Sequence, residues 1–188
     1  TLPIAAAGGA AVKLASDYQE SLNKINVAFG SSSEQVIAFG NTTLKSFGMS
    51  KGTALEMISV FGDMGTSLGL SQEAAATMST SLAGLAGDLS SFKNISLEES
   101  QNALKGVFTG ETESLKSLGV IMNQTTLDAF ALSNGFGKTT KDMTEAEKVS
   151  LRYAFVMDAT KNAQGDFART SDGTANSMKI FKETLKEL

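Results

Sequence analysis

Apolar residues recur along this chain at alternating steps of three and four, the spacing of helices with one buried face. Ala11, Ala15, Tyr18, Leu22, Ile25 and Phe29 form one stripe. Ala54, Ile58, Phe61, Gly65 and Leu68 form a second, and Ala75, Met78, Leu82, Leu85, Leu89 and Phe92 a third. Ala146, Val149, Tyr153, Val156 and Thr160 repeat the rhythm, as do Ala175, Met178, Phe181, Leu185 and Leu188. The pattern predicts helices near 9–29, 32–47, 51–68, 72–92, 97–108, 112–118, 124–134, 145–163 and 174–188. Val120–Met122 reads as a short extended segment, pairing near Phe136–Thr139. Each stripe lasts about two to three heptads, less than a coiled coil sustains. The helices over 30–165 are therefore expected to face a common core. The first and last helices are the candidates for coiled-coil association.

A punctuation unit separates these stretches. Residues 46–50 read SFGMS, 67–71 SLGLS and 117–121 SLGVI. Glycine adopts the left-handed position past a helix end without a Cβ penalty, and the next apolar residue folds back on the last turn. Ser50 and Ser71 then stand where a serine caps the following helix. Ser96–Glu99 and Thr144–Glu147 have the spacing of capping boxes. Tight helical elbows follow, not one long rod.

Composition supports an all-α bundle. Of 188 residues, 41% are apolar and 19% charged, which suits a packed domain. The single proline, Pro3, leaves the later helices unbroken, and 18 glycines mark helix ends or close contacts. There is no cysteine, so no disulfide or thiolate metal site exists. There is no histidine, which removes the commonest general base and metal ligand. The net charge of −4 comes without a basic row, so neither duplex DNA nor any other direct nucleic-acid contact is expected. Eight Met and eleven Phe against two Tyr and no Trp describe an adaptable core. TLPIAAAGGAAV is apolar but too short to span a bilayer, and lacks the charged start of a signal peptide. Together with the uncapped KIFKETLKEL, it suggests helices that continue in a longer protein.

Motifs that carry chemistry are incomplete. GFGKTT at 135–140 resembles the end of a phosphate loop, but position 132 is Leu where that loop needs glycine, so ATP binding is not expected. Ser21–Lys24 and Ser90–Lys93 fit S-x-x-K; Ser171–Gly173 is SDG and Lys138–Thr140 is KTT, so the partner elements are missing. Glu98–Glu99 and Glu111–Glu113 are the densest acids, and first-turn positions explain all four through the helix dipole. Asp166–Asp172 lacks the alternating acids of a calcium loop. Gly65 and Gly69 form G-x-x-x-G, and Gly84 and Gly87 lie a turn apart; polar neighbours point to close packing in water. No catalytic, cofactor-binding or metal-binding residue is assigned, and no cofactor is expected.

Three phrases occur in order: ALKGVFTGETESLKSLGVIM at 103–122, LDAFALSNGF at 127–136 and MTEAEKVSLRYAFVMDATKNAQGDFARTSDGTANSM at 143–178. In that order they resemble the conserved core domain of tail tape measure proteins of long-tailed bacteriophages. The first hundred residues fit only in texture. The resemblance implies a non-enzymatic virion protein of the tail lumen or tip, assembled in the host cytoplasm. It implies roles in tail length determination, tail assembly and DNA ejection. Its implied partners are tail tube and distal baseplate proteins, tail assembly chaperones and further copies of itself, with three the expected number. Membrane contact is expected only through parts outside these residues. Residues 1–30 then form an N-terminal helix continuing from upstream, 31–170 the conserved-core domain and 171–188 the start of a long C-terminal helix. The contour of 188 residues is at most about 280 Å as one helix, so an anchoring or assembly element is expected here, not the ruler. A helical cell-wall hydrolase lobe and a secreted helical effector are the rival classes. The latter would need an uninterrupted apolar helix of about 20 residues.

Overall fold

The computed structural model describes the backbone of residues 2–186 and side chains from residue 12 to residue 186. Ala11, Leu188 and the last two positions of the predicted 174–188 helix lie outside these. The architecture is all-α, 75% helical, without strands among the described residues. α1 (Leu2–Phe29), α2 (Ser33–Gly40) and α3 (Thr43–Phe47) lead into the two central helices, α4 (Lys51–Ser67) and α5 (Gln72–Phe92). Four shorter elements follow: α6 (Leu97–Leu104), α7 (Gly106–Thr109), α8 (Glu113–Lys116) and α9 (Gln124–Ser133). α10 (Glu145–Ala159), α11 (Asp166–Thr170) and α12 (Thr174–Thr184) complete the chain, with 3-10 turns at Gly30–Ser32 and Thr140–Asp142.

α5 is the axis of the bundle. Residues 82–90, LAGLAGDLS, are all buried, as befits a helix apolar or small all round. Its glycines make room for aromatic rings. A Cβ on Gly87 would lie 2.6 Å from that of Phe47, and one on Gly84 3.0 Å from the same ring. α4 does likewise: the Phe29 ring occupies the space a Gly62 side chain would need. The Phe61 and Phe108 rings stack 5.5 Å apart. α1 runs parallel to α4, for Tyr18 stands beside Lys51 and Phe29 beside Gly62. α5 returns antiparallel, bringing Ala75 to Gly65 and its far end to Phe47.

The glycine elbows form as the spacing predicts. Gly48, Gly69 and Gly119 have φ of 63°, 92° and 80°. The apolar residue after each donates back into the helix end: Met49 to Thr43, Leu70 to Gly65 and Val120 to Leu115. Ser50 and Ser71 then accept from the N–H of Thr53 and Ala74. The Thr144 box closes in both directions. At Ser96 only the serine half is made, to Glu99 N.

Several expectations are corrected. The predicted 32–47 helix is two, because the chain turns at Asn41–Thr42, where Thr42 and Thr43 hydroxyls donate to the carbonyls of Phe39 and Gly40. The predicted 97–108 helix is also divided, at Lys105. Val120–Met122 forms no strand pairing among the described residues. Val120 and Met122 are buried and Ile121 exposed, so the strand-like alternation serves packing; Phe136 N–H is committed to Ala131 at the end of α9. Phe92, placed on a buried stripe, is exposed. Residues 166–170, where no helix was placed, form α11.

Candidate functional site

α12 keeps its apolar stripe outside the core. Ala175, Met178, Phe181 and Leu185, on the helix set apart from the common core by its sequence, are all exposed, Phe181 at 59%. The residues of this helix that are buried are Asn176 and Glu183, both polar. Glu183 sits at the N-terminus of α4, accepting from Ser50 N at 3.1 Å and Thr53 Oγ1 at 2.8 Å. Burial opposes its charge, but donors from Lys186, Thr53 and Ser50 outweigh that and hold its pKa below the usual glutamate value. Lys179 donates to the carbonyl and hydroxyl of Ser90 at 2.7 and 2.9 Å, and burial lowers its pKa. Asn176 donates to Ser91 Oγ and Thr170 Oγ1 at 2.8 and 2.9 Å. Met178, Phe181 and Leu185 thus remain outside, spaced three and four apart like the seam of a coiled coil.

α11 is held from below by Asp88. Its carboxylate, 5% exposed, accepts from Gly165 N at 2.7 Å and Phe167 N at 3.1 Å. Burial raises its pKa against the lowering effect of those two donors. Asp166 accepts from Ser91 Oγ at 2.6 Å. A groove of about 290 Å³ opens above Asp88, between Phe39, Phe47, Gly84 and Met157. Its polar lining is committed locally: Thr80 and Ser81 donate to carbonyls of their own helix, and Gln164 to Met157.

The motif residues are occupied by the fold. In GFGKTT, Lys138 pairs with Glu147 at 2.7 Å, and Thr140 donates its N–H and hydroxyl to Asp128. Carboxylates thus occupy the Lys138 ammonium and the Thr140 donors, and a 3-10 turn follows instead of a helix. Ser21 donates to Asp17 and Lys24 pairs with Glu20. Ser90 meets Lys179 rather than Lys93, a pairing no spacing rule anticipates. The Ser90 hydroxyl is 1% exposed and donates to Ile95, so this pair ties helices together. Glu98 and Glu99 lie in the first turn of α6 and Glu113 in that of α8, but Glu111 precedes α8. Glu98 and Glu99 line a shallow groove of about 380 Å³ with Asn102, Ser114 and Ser117. Asp166 and Asp172 flank a helical turn. Among the described residues no group of acids is disposed to hold a metal, and no helix is long and apolar enough to cross a membrane. Gly65 packs tightly and Gly69 ends a helix, as the G-x-x-x-G spacing was read. No family model matches this chain, and neither a curated protein nor a solved structure is found similar to it.

Proposed function

We propose that this chain is a helical domain of a phage tail tape measure protein, acting as an anchor or assembly contact in the tail and not as its ruler. The phrases at 103–178 suggest the family. The observation that carries the role is the α4–α5 hairpin: the chain reverses at Gly69, so its length along any axis does not follow its residue count. A ruler requires that proportion. The proposed partners are the tail tube and distal baseplate proteins, tail assembly chaperones and further copies of the chain. The outward stripe of Met178, Phe181 and Leu185 supports self-association, since exposed apolar patches of this spacing suit helix pairing. No enzymatic role is proposed.

Two changes in the full phage protein test this reading. Deleting α5, 21 residues, removes the axis of the bundle. Tail assembly or DNA delivery should be lost. Normal numbers of tails shortened by about 30 Å would instead show the segment to be tape. Replacing Met178, Phe181 and Leu185 together with serine spares the core and should leave the helical content unchanged while reducing tail yield. Full yield with that triple variant would overturn the stripe as an assembly contact.

A further inference from the structure

We infer that α11 and α12 form a latched arm, which swings off the α1–α10 bundle as one unit while the bundle stays folded. The inference rests on the geometry alone, independently of the functional reading.

The main bundle is closed by apolar burial, whereas the arm is closed almost wholly by hydrogen bonds. Asp88 grips Gly165 and Phe167, Ser91 grips Asp166 and Asn176, Ser90 grips Lys179, and the N-terminus of α4 grips Glu183. Its one large buried apolar side chain is Phe167, whose ring sits on Gly48 at the third elbow residue of SFGMS rather than in the continuous core. Water replaces hydrogen-bond partners at little net loss, but does not replace apolar contacts. Release of the arm therefore forfeits far less than unfolding of α4 or α5. Apart from the Phe167 ring it exposes little new apolar surface, because Met178, Phe181 and Leu185 already face solvent. The pivot is present as well. After α10 the chain passes through turns at 160–165 and reaches Gly165, with φ of 76°, whose own N–H is the first amide that Asp88 holds. Such low-lying openings of a contiguous segment are what hydrogen exchange detects.

Hydrogen exchange with mass spectrometry on the intact chain tests the arm. Peptides covering 166–184 should exchange through an opening much cheaper than global unfolding, while peptides covering 82–89 exchange only by global unfolding. Glu183→Gln weakens two charge-assisted bonds near the end of α12, and Lys179→Met removes two in its middle. Either variant should speed exchange across all of 166–184, α11 included, by about tenfold, with 82–89 unchanged. If α11 keeps its wild-type rate while only the last turn of α12 accelerates, the arm is not a unit. If 166–184 and 82–89 share one protection in the unsubstituted chain, there is no separate arm.

Discussion

At the residue scale, the left-handed glycines carry the chain's turns. Gly69 has open space around it, the nearest atom to an added Cβ being Ala146 Cβ at 3.8 Å. The obstacle to a side chain there is conformational, not steric crowding. Gly69→Val should cost about 1–2 kcal/mol, and Gly119→Val a similar amount, because a β-branched residue is forced to positive φ. Ser67→Ala, exposed beside the elbow, should cost much less. Thermal melts of the three variants check this, and a Gly69→Val midpoint equal to that of the unsubstituted chain would contradict it. These positions were legible in the sequence, since an elbow is written in five consecutive residues and needs no distant partner.

At the element scale, helix ends are fixed by carboxylates of opposite acid–base behaviour. The Lys138 ammonium and the Thr144 N–H hold Glu147 down from 4.5 to about 2. A depressed carboxyl contributes stability above 4.5 that is lost as pH falls towards 2. Asp88 is raised from 3.8 by burial, so its contribution is present below 3.8 and lost as pH rises through the raised value. Carboxyl NMR titration should show Glu147 titrating well below Asp88, and Lys138→Met should bring Glu147 back up. Titration of Glu147 at 4.5 in the unsubstituted chain would refute the capping account. Asp88→Ala strands two N–H groups at the start of α11 and should cost about 1–3 kcal/mol, with Asp88→Asn costing less because one acceptor remains. α4 and α5 were legible almost to the residue, having long stripes and a cap at the start. α11 was not: its five residues lack room for a stripe, and its cap is supplied by Asp88, distant in sequence. α12 shows why periodicity locates an amphipathic helix yet leaves its docking face undecided. Its apolar stripe was read correctly as a stripe, but Ser50, Thr53, Ser90 and Ser91 offer hydrogen bonds that hold the opposite face. The Ser90–Lys179 pair was invisible for the same reason.

At the scale of the whole molecule, far-ultraviolet circular dichroism should report about three-quarters helix, and a strand-dominated spectrum would overturn the architecture. The placement of the first and last helices has a mechanical consequence. Tyr18 of α1 and Glu183 of α12 both meet the start of α4, at Lys51 and Ser50. The outward ends of α1 and α12 therefore leave the same pole of the bundle. A load applied across them acts on one edge and separates contacts in succession, like a zipper, instead of stretching the α4–α5 hairpin in shear. The polar grips of Glu183, Lys179 and Asn176 would yield together as that arm at low force, lengthening the tether before the α4–α5 pair bears any tension. Under traction this domain is a compliant spring in series with a stiff core.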